Sequence, residues 1–331
     1  MMPATIEEVA RAAGVSRSTV SRVVNGSTAV SPEALEAVRE AIQHLNYVPN
    51  RAARSLASAR TMAIAVIVPE ETQRFFGDPF FAAIVSGIND AVSASEYLLT
   101  LAIASDDPRG KMLGYVRSGS IDGAIVVSHH TSDTFVERIA SAVPVVFGGR
   151  PTRLHDTDYF VDVDNVAGAV DAVEYLIGQG RRSIATIAGP PTMTAGVDRL
   201  TGYRQALSAA RMRSGGIADG DFTEEGGAIA MRDILARGER PDAVFAASDL
   251  MARGAIDVLL AAGLRVPEDV AVIGFDDSSV ATKGSPMLTT MRQPSFAQGE
   301  RMAQVLLELL DGGDPPRATV MPTQLILRES A

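Results

Sequence analysis

The sequence has no cysteine among its 331 residues. This absence excludes disulfide bonds and metal sites built on thiolate ligands. The only histidines are His44, His129, His130 and His155, and none of them stands at the spacing of a helical metal-ligand pair. We therefore expect neither a metal nor any other cofactor.

Long apolar runs are also lacking. No stretch approaches the roughly 20 apolar residues of a membrane helix. The first residues, MMPATIEEVARAAG, have no apolar centre of the kind found in signal peptides. These absences predict a soluble, cytoplasmic protein with no membrane partner.

Charge is distributed unevenly along the chain. The net charge is −10, but residues 1–60 hold seven Arg and five Glu, a net of +2, which leaves −12 on the remainder. Every basic residue of this head is Arg, the side chain suited to bidentate contacts with bases and phosphates. The distribution favours a protein that touches DNA at one end. The length predicts two or three domains.

Residues 5–26, TIEEVARAAGVSRSTVSRVVNG, have the pattern of two short helices joined by a tight turn. Thr5 and Glu8 stand at capping-box spacing, and Gly14 is expected to end the first helix. The apolar face of that helix comprises Ile6, Val9, Ala10 and Ala13. Ser16 is placed to cap the second helix.

The second helix points its valines inward and keeps polar side chains free. The inward set is Val20, Val23 and Val24, and the free set is Arg17, Ser18, Ser21 and Arg22. Such a face suits the major groove of DNA, although a pair of amphipathic helices with solvated arginines would show the same spacing.

Residues 31–47 predict a third helix, capped by Ser31, that completes a small head. Residues 48–60, VPNRAARSLASAR, follow, and Leu56 is the only large apolar side chain after Pro49. This segment is either a plain linker or a hinge helix. As a hinge helix in a dimer on DNA, it would insert Leu56 into the minor groove.

From residue 61 onward, buried strands alternate with helices. The predicted strands are 62–69, 98–104, 123–127, 144–148, 183–189, 242–248 and 270–277. The predicted helices are 80–95, 110–119, 133–142, 165–179, 197–211, 225–237 and 250–262, followed by a helix at 296–310 and a strand at 324–328. This series predicts an α/β fold of doubly wound parallel sheets.

The predicted domains are a helix-turn-helix DNA-binding domain at 1–47, a hinge at 48–60 and an effector-binding core at 61–331. The core is expected to have an N-subdomain at about 61–160 and 291–322 and a C-subdomain at about 161–290 and 323–331. A cleft should lie between them.

Ligands of open α/β sheets bind at the carboxyl ends of strands. Phe80 and Phe81 follow the first strand. Either the two adjacent rings supply a face for a sugar or a base, or at least one of them fills the core beneath the following helix. Arg199 stands where a helix is expected to start, an unfavourable place for a cation unless it faces a ligand. Asp276 and Asp277 end a strand, where they suit either sugar hydroxyls or acid catalysis.

Several motifs occur in a characteristic order over nearly the whole chain. They include residues 5–26, the hinge-like YVPNRAARSLA, Asp78-Pro79-Phe80-Phe81, IDGAIV, RRSIATIAGP, VIGFDD, LTTMRQP and LILRES. With these motifs the chain resembles the lac repressor and purine repressor (LacI/GalR) family. The resemblance implies a helical head, a hinge helix and a two-subdomain core like the periplasmic binding proteins (type I). It also implies a homodimer on a near-palindromic DNA operator.

The resemblance assigns roles to residues of the head. It matches Arg17, Ser18 and Arg22 to positions that read base edges, and Leu56 to the minor-groove lever. Positions near phosphate or sugar are matched by Thr5, Ser16, Thr19, Ser21, Asn25, Ser31, Asn50 and Arg51.

In the core, the resemblance places Arg199, Phe222, Ser248, Asp276 and Gln293 in the effector cleft. Arg150 is a further candidate that would otherwise be a surface ion-pair partner. Many sugar-responsive relatives have Asn where this chain has Ser248 and Asp where it has Gly149, so the effector's identity does not carry over.

The function expected from all this is a repressor of carbohydrate uptake or catabolism genes that a small sugar releases from its operator. One alternative is a repressor activated by a purine or another corepressor. A different class, a solute-binding protein without regulatory role, fits the core but not the arginine-rich head. An enzyme is not expected, because no nucleophile and base stand at a telling spacing and no phosphate-binding glycine motif is present.

Overall fold

The computed structural model describes residues 4–24, 29–47 and 60–331. The chain divides into two compact units, Met1–Met62 and Ala63–Ala331. The hinge helix predicted at 48–60 lies, except for Arg60, outside the described residues. None of the described helices combines the length and apolarity that a membrane span requires.

The described part of the first unit is helical. Its helices are α1 (Ile6–Ala12), α2 (Arg17–Val24) and α3 (Pro32–His44). The predicted capping box is present in α1: the Glu8 amide donates to Thr5 Oγ1 at 3.3 Å, and the Thr5 amide donates to Glu8 Oε2 at 2.7 Å. Val9, Val20 and Val38, one from each helix, are fully buried at the centre of this unit. The apolar stripes predicted from spacing therefore do form its core.

Turn residues set the ends of these helices. Gly14 has a φ of +65°, the left-handed conformation that glycine adopts without strain, and it follows α1. Ser16 Oγ accepts from the Thr19 amide at 3.1 Å at the start of α2, and Ser31 Oγ accepts from the Ala34 amide at 3.3 Å at the start of α3. The predicted caps are confirmed.

The second unit contains two six-stranded sheets. The first has the order β11-β5-β4-β3-β1-β2 and the second the order β12-β10-β9-β8-β6-β7. Neighbouring strands are parallel except β12, which runs antiparallel to β10. The first sheet comprises β1 (Ala63–Val68), β2 (Leu98–Ile103), β3 (Gly123–Val127), β4 (Val145–Gly148), β5 (Tyr159–Val163) and β11 (Ala318–Met321). The second comprises β6 (Ile184–Ala188), β7 (Ile217–Asp219), β8 (Ala243–Ala246), β9 (Ala271–Asp276), β10 (Thr289–Arg292) and β12 (Gln324–Ile326).

Helices connect these strands, as expected for doubly wound sheets. They are α4 (Thr72–Gly77), α5 (Pro79–Ser93), α6 (Lys111–Arg117), α7 (Thr134–Ala140), α8 (Asn165–Gly178), α9 (Thr194–Ala209), α10 (Glu224–Ala236), α11 (Asp249–Ala261) and α12 (Ser295–Leu310). Each helix predicted in this unit is present, with its ends shifted by three residues or fewer.

The structure adds elements that periodicity did not predict. The helix α4 and the strands β5, β7, β10 and β11 were missed because they are short or carry polar residues on both faces. The prediction that all the strands are buried was wrong for β2. Leu98 and Leu101 are 46% and 45% exposed because β2 is the edge strand of its sheet.

The chain passes between the two sheets three times, after Val163, after Arg292 and between Met321 and Gln324. After the second passage, α12 packs on the first sheet and closely against α5. A Cβ built at Gly299 of α12 would overlap the carbonyl group of Ile84 in α5. The two backbones therefore approach to a distance that only glycine allows, which holds α12 tightly on the first sheet.

Candidate functional site

The outward face of α2 carries the three residues predicted to read DNA bases. Arg17, Ser18 and Arg22 are exposed. Arg17 Nε lies 3.2 Å from Glu7 Oε1, and both side chains are more than half exposed, at 71% and 55%. An ion pair in such a position contributes little to stability, so Arg17 can exchange it for a DNA contact at small cost.

Hydroxyl groups at the helix starts have local partners. Thr5 and Ser16 use their side chains as caps, and Ser16 Oγ also lies 2.7 Å from Ser18 Oγ and 2.8 Å from Thr19 Oγ1. Ser21 is half-buried, and Ser31 caps α3. Their contacts with the DNA backbone stay predictions. Four predicted DNA contacts lie outside the described residues: Asn25, Asn50, Arg51 and Leu56.

In the second unit, the carboxyl ends of strands from both sheets surround one cavity. Seven of the eight predicted effector residues line it: Phe80, Phe81, Arg199, Phe222, Ser248, Asp276 and Gln293. The cavity lies at the carboxyl ends of the strands, as predicted from the sequence, because both sheets change strand order beside β1 and β6 and leave a crevice there.

Arg199 lies at the centre of this constellation and is only 4% exposed. Its Nε donates to Asn165 Oδ1 at 2.9 Å and its Nη1 to the Ala247 carbonyl at 2.6 Å, while Nη1 lies 3.5 Å from Asp276 Oδ1. The guanidinium carbon is 3.6 Å from the centroid of the Phe275 ring. Nη2 makes no hydrogen bond within the described part of the chain, so it remains as a donor for a ligand.

The prediction that Arg199 stands at the start of a helix was wrong. The helix α9 begins at Thr194, three residues earlier than predicted, so Arg199 lies in its second turn. The helix dipole acts mainly within the first turn and does not disfavour a cation there. Burial, by contrast, lowers the pKa of Arg199, and the Asp276 carboxylate opposes this.

Asp276 and Asp277 have different environments. Burial raises the pKa of Asp276 well above its ordinary value, and the charge of Arg199 opposes this shift. Asp276 Oδ1 accepts from Gln293 Nε2 at 2.7 Å. Asp277 is held by Arg292 at 2.7 Å and Arg328 at 2.5 Å. Because two arginines form ion pairs with Asp277, Asp276 and Asp277 do not form the couple of carboxyl groups that acid catalysis requires.

Aromatic side chains supply the apolar part of the wall. Phe81 is 1% exposed and packs with Phe75 at a ring separation of 5.3 Å, so it fills the core, which was one of the two alternatives for this pair. Phe80 is half-buried and meets Phe81 edge to face at 5.4 Å. Phe222 is buried at a φ of +64°. Bulky residues are rarely found at such a φ, which is typical of positions held by function.

Ser248 and Arg150 are engaged in other ways. Ser248 is buried and its Oγ accepts from the Met251 amide at 3.2 Å, so its hydroxyl caps α11. Arg150 is not among the residues that line the cavity; its Nη2 pairs with Asp198 at 2.7 Å. The structure thus shows the ion pair that was the alternative for Arg150, and an effector contact from this residue stays a prediction.

Polar contacts join the two halves of the second unit beside this cavity. Glu70 is buried and accepts from Ser128 at 2.6 Å and Arg74 at 3.1 Å, and His130 Nε2 lies 3.1 Å from it. The other ring nitrogen of His130 is 2.8 Å from Thr192 Oγ1, which precedes α9. Burial alone would raise the pKa of Glu70, but these partners lower it below its ordinary value.

The structure adds polar residues to the cavity that the sequence did not single out. They are Arg74, Asp78, Ser128, His129, Asp162, Asn165, Thr194 and Gln298. His129 had a usable signal, since it follows a buried strand at the carboxyl edge. Asp162 and Asn165 had none, because β5 was not predicted. Burial raises the pKa of both Asp78 and Asp162.

Within residues 4–24, 29–47 and 60–331, no three His, Asp or Glu side chains converge in a way that would hold a metal ion. The arrangement is suited to binding a ligand through hydrogen bonds and ring contacts. It contains a buried arginine, several carboxyl groups, amides and three phenylalanine rings.

Family models match a part of each of the two units. The model of the family described as bacterial regulatory proteins, lacI family, matches residues 5–50. The model described as a periplasmic binding protein-like domain matches residues 173–331. The HTH-type transcriptional regulator CelR of Thermobifida fusca is 46% identical over 332 residues, which cover 98% of this chain and 98% of CelR.

Solved structures match over the full length. The complex of the transcriptional regulator CelR with cellobiose is 44% identical, with a TM-score of 0.79, and the match covers 99% of this chain and 100% of that chain. The lac repressor dimer bound to operator and the anti-inducer ONPF is 27% identical, with a TM-score of 0.86 and 99% of each chain covered. The predicted fold class, a helix-turn-helix head with a core of two parallel sheets, is confirmed.

Proposed function

The chain belongs to the lacI family of bacterial regulatory proteins, and from this premise we propose that it represses carbohydrate uptake or catabolism genes until a small sugar releases it from its operator. Like its relatives, it is a DNA-binding transcriptional regulator and not an enzyme. It binds operator DNA as a homodimer. Its site of action is the cytoplasm, where the operator is accessible.

The chemistry of the cavity supports a sugar as the effector. Sugars present apolar ring faces and a rim of hydroxyl groups, and the cavity offers Phe80 and Phe222 for the former and Asp276, Asn165 and Arg199 for the latter. CelR, which matches this chain over its whole length, was solved with cellobiose. Cellobiose or a closely related disaccharide is the first effector to test.

The single observation that carries this proposal is that the cavity draws its walls from both halves of the second unit. Asp78 and Asp162 come from the first sheet's side, and Arg199 and Asp276 from the second. A ligand held by both halves favours one relative arrangement of them over others. That preference couples sugar binding to operator binding, and the sugar weakens the binding of the protein to its operator.

In the head, we assign base reading to Arg17, Ser18 and Arg22. Arg to guanine is the commonest specific contact in the major groove, and these exposed side chains stand on one helix. Leu56 is the proposed minor-groove lever of each hinge. The hydroxyl and amide groups of the head, together with Arg51, are assigned to backbone positioning.

Operator binding in the presence of effectors tests the proposal. Full-length protein is titrated, at fixed salt, against labelled DNA from upstream of its own gene, with cellobiose, ribose, glucose or hypoxanthine added. We expect cellobiose to weaken binding about 5- to 150-fold, the usual range of allosteric coupling. Tighter binding with hypoxanthine would favour the corepressor alternative. No specific retardation of any DNA would leave the solute-binding class instead.

A further inference from the structure

Two side chains that line the cavity are buried without the hydrogen bonds their chemistry requires. They are His129, 8% exposed, and Gln298, 4% exposed. We propose that His129 and Gln298 are specificity-determining residues that hydrogen bond hydroxyl groups of the bound effector from the first sheet's side of the cavity. This inference rests on the proposed sugar response and names the residues that select the sugar.

His129 lies two residues after the end of β3, at the carboxyl edge of the first sheet. Its ring packs edge to face on Phe147 at 5.4 Å, which fixes its position. Neither Nδ1 nor Nε2 has a hydrogen-bond partner in the described part of the chain. Buried polar groups in folded proteins are nearly always paired, so an unpaired ring that lines a cavity indicates a partner supplied by a ligand.

The protonation state of His129 indicates which partner fits. Burial lowers the pKa of His129 to about 4, and the charge of His130 acts in the same direction. The backbone of Arg150 lies near enough to oppose the shift slightly, but not at hydrogen-bonding geometry. The ring is therefore neutral at physiological pH and offers one donor and one acceptor. A hydroxyl group, which both donates and accepts, complements either nitrogen.

Gln298 offers only its acceptor. Its Nε2 donates to the Val161 carbonyl at 3.0 Å, which orients the amide. Its Oε1 is buried and has no donor in the described part of the chain. The missing partner is a donor, which a sugar hydroxyl supplies. Gln298 stands one residue before Gly299, where α12 is held closely against α5, so its position is rigid.

Gly149 places no side chain beside the ring of His129. It has a φ of +93°, and a Cβ built there would lie 4.0 Å from His129 Cε1. Since the residue has no side chain, nothing at this position competes for the histidine. The cavity also contains the carboxyl groups of Asp78, Asp162 and Asp276, which can hydrogen bond further hydroxyl groups. The combination suits a hydroxyl-rich molecule.

The test uses full-length protein and the variants His129→Leu and Gln298→Leu. Exposed residues provide matched controls, His155→Leu and Gln304→Leu, the latter also on α12. Calorimetry gives the Kd for cellobiose, with ribose and glucose as further probes, and thermal unfolding without sugar gives the midpoint. We expect each cavity variant to bind the sugar about tenfold more weakly, as for the loss of one hydrogen bond. The controls should bind like wild type.

The unfolding midpoint separates a ligand contact from a structural role. Because neither ring nitrogen of His129 has a protein partner in the described part of the chain, His129→Leu should leave the midpoint unchanged or raise it. Gln298→Leu also loses the bond from Nε2 to the Val161 carbonyl, so its midpoint should fall. His129→Gln retains a donor and an acceptor and should recover part of the affinity.

Three results would overturn the inference. The first is unchanged sugar affinity in both cavity variants, and the second is a lowered midpoint in His129→Leu while His155→Leu stays stable. The third is a wild-type protein that binds none of the sugars, which would also end the proposed sugar response. That last failure is distinguishable because it appears before any variant is made.

Discussion

Replacing Arg199 with lysine tests how the centre of the cavity is built. Lysine keeps the positive charge beside Asp276 but has one donor group instead of a planar fork. It can keep either the bond to Asn165 or the bond to the Ala247 carbonyl, not both, and it cannot stack flat on Phe275 at 3.6 Å. The change therefore removes interactions without removing charge.

The magnitude follows from those two losses. A hydrogen bond from a charged group contributes about 1.5–3 kcal/mol, and a desolvated cation–π contact contributes about 2 kcal/mol. Allowing for the ammonium's own attraction to the ring, we expect Arg199→Lys to lower the free energy of unfolding of the second unit by about 3 kcal/mol. For a unit of this size, that corresponds to a midpoint about 6–12 °C lower.

Circular dichroism of the full-length protein measures this shift, since the chain contains no tryptophan. Arg204→Lys, an exposed position on the same helix, is the matched control and should behave like wild type. If Arg199→Lys unfolds within about 2 °C of Arg204→Lys, less than 1 kcal/mol separates them. The hydrogen bonds and ring contact drawn around Arg199 would then not describe its role.

Three further predictions concern pH, packing and DNA. In the folded protein the pKa of His129 is lowered to about 4. Between about pH 6.5 and 4 the unfolded chain therefore binds a proton that the folded chain does not, and the free energy of unfolding falls as the pH falls. At pH 5, His129→Leu should retain about 2 kcal/mol more of this free energy than wild type does, measured by urea unfolding. Gly299→Ala should lower stability by about 1–3 kcal/mol through overlap with Ile84. The control Gly114→Ala, in open space on a helix, should stabilise by about 0.4–1 kcal/mol. Arg22→Ala should weaken operator binding by about 1–3 kcal/mol and relax the base preference, whereas equal loss on all DNA sequences would mean that it contacts only phosphate.

Much of the fold was predictable because its signals are local. The capping box of Thr5 and Glu8 and the valine stripes lie within a few residues of one another, and each was found as predicted. Long buried strands such as β1 and β9 are also recognisable in the sequence, since both of their faces are covered and their residues form continuous apolar runs. Short strands such as β7 carry too few residues for a period to appear.

The site was predictable where topology or family resemblance pointed to it, and not beyond. Asp276 ends β9 and Phe80 comes after β1 in the chain, so the rule that ligands bind at the carboxyl ends of strands predicted both of them. Asp162 escaped because its strand was not predicted. Arg199 was selected for the wrong reason, since a shift of three residues in the helix start removed the dipole argument while burial preserved the conclusion.

By itself, the sequence determined the elements and the division of labour between an arginine-bearing head and an acidic α/β core, because periodicity, caps and charge are properties of neighbouring residues. Only the tertiary structure decided which polar groups remain without partners. Arg150 is paired with Asp198, 48 residues away, and Asp277 with Arg328, whereas His129 and Gln298 Oε1 have no partner within the described chain. Pairing depends on which distant segments meet, and that is settled when the two sheets close around one cavity.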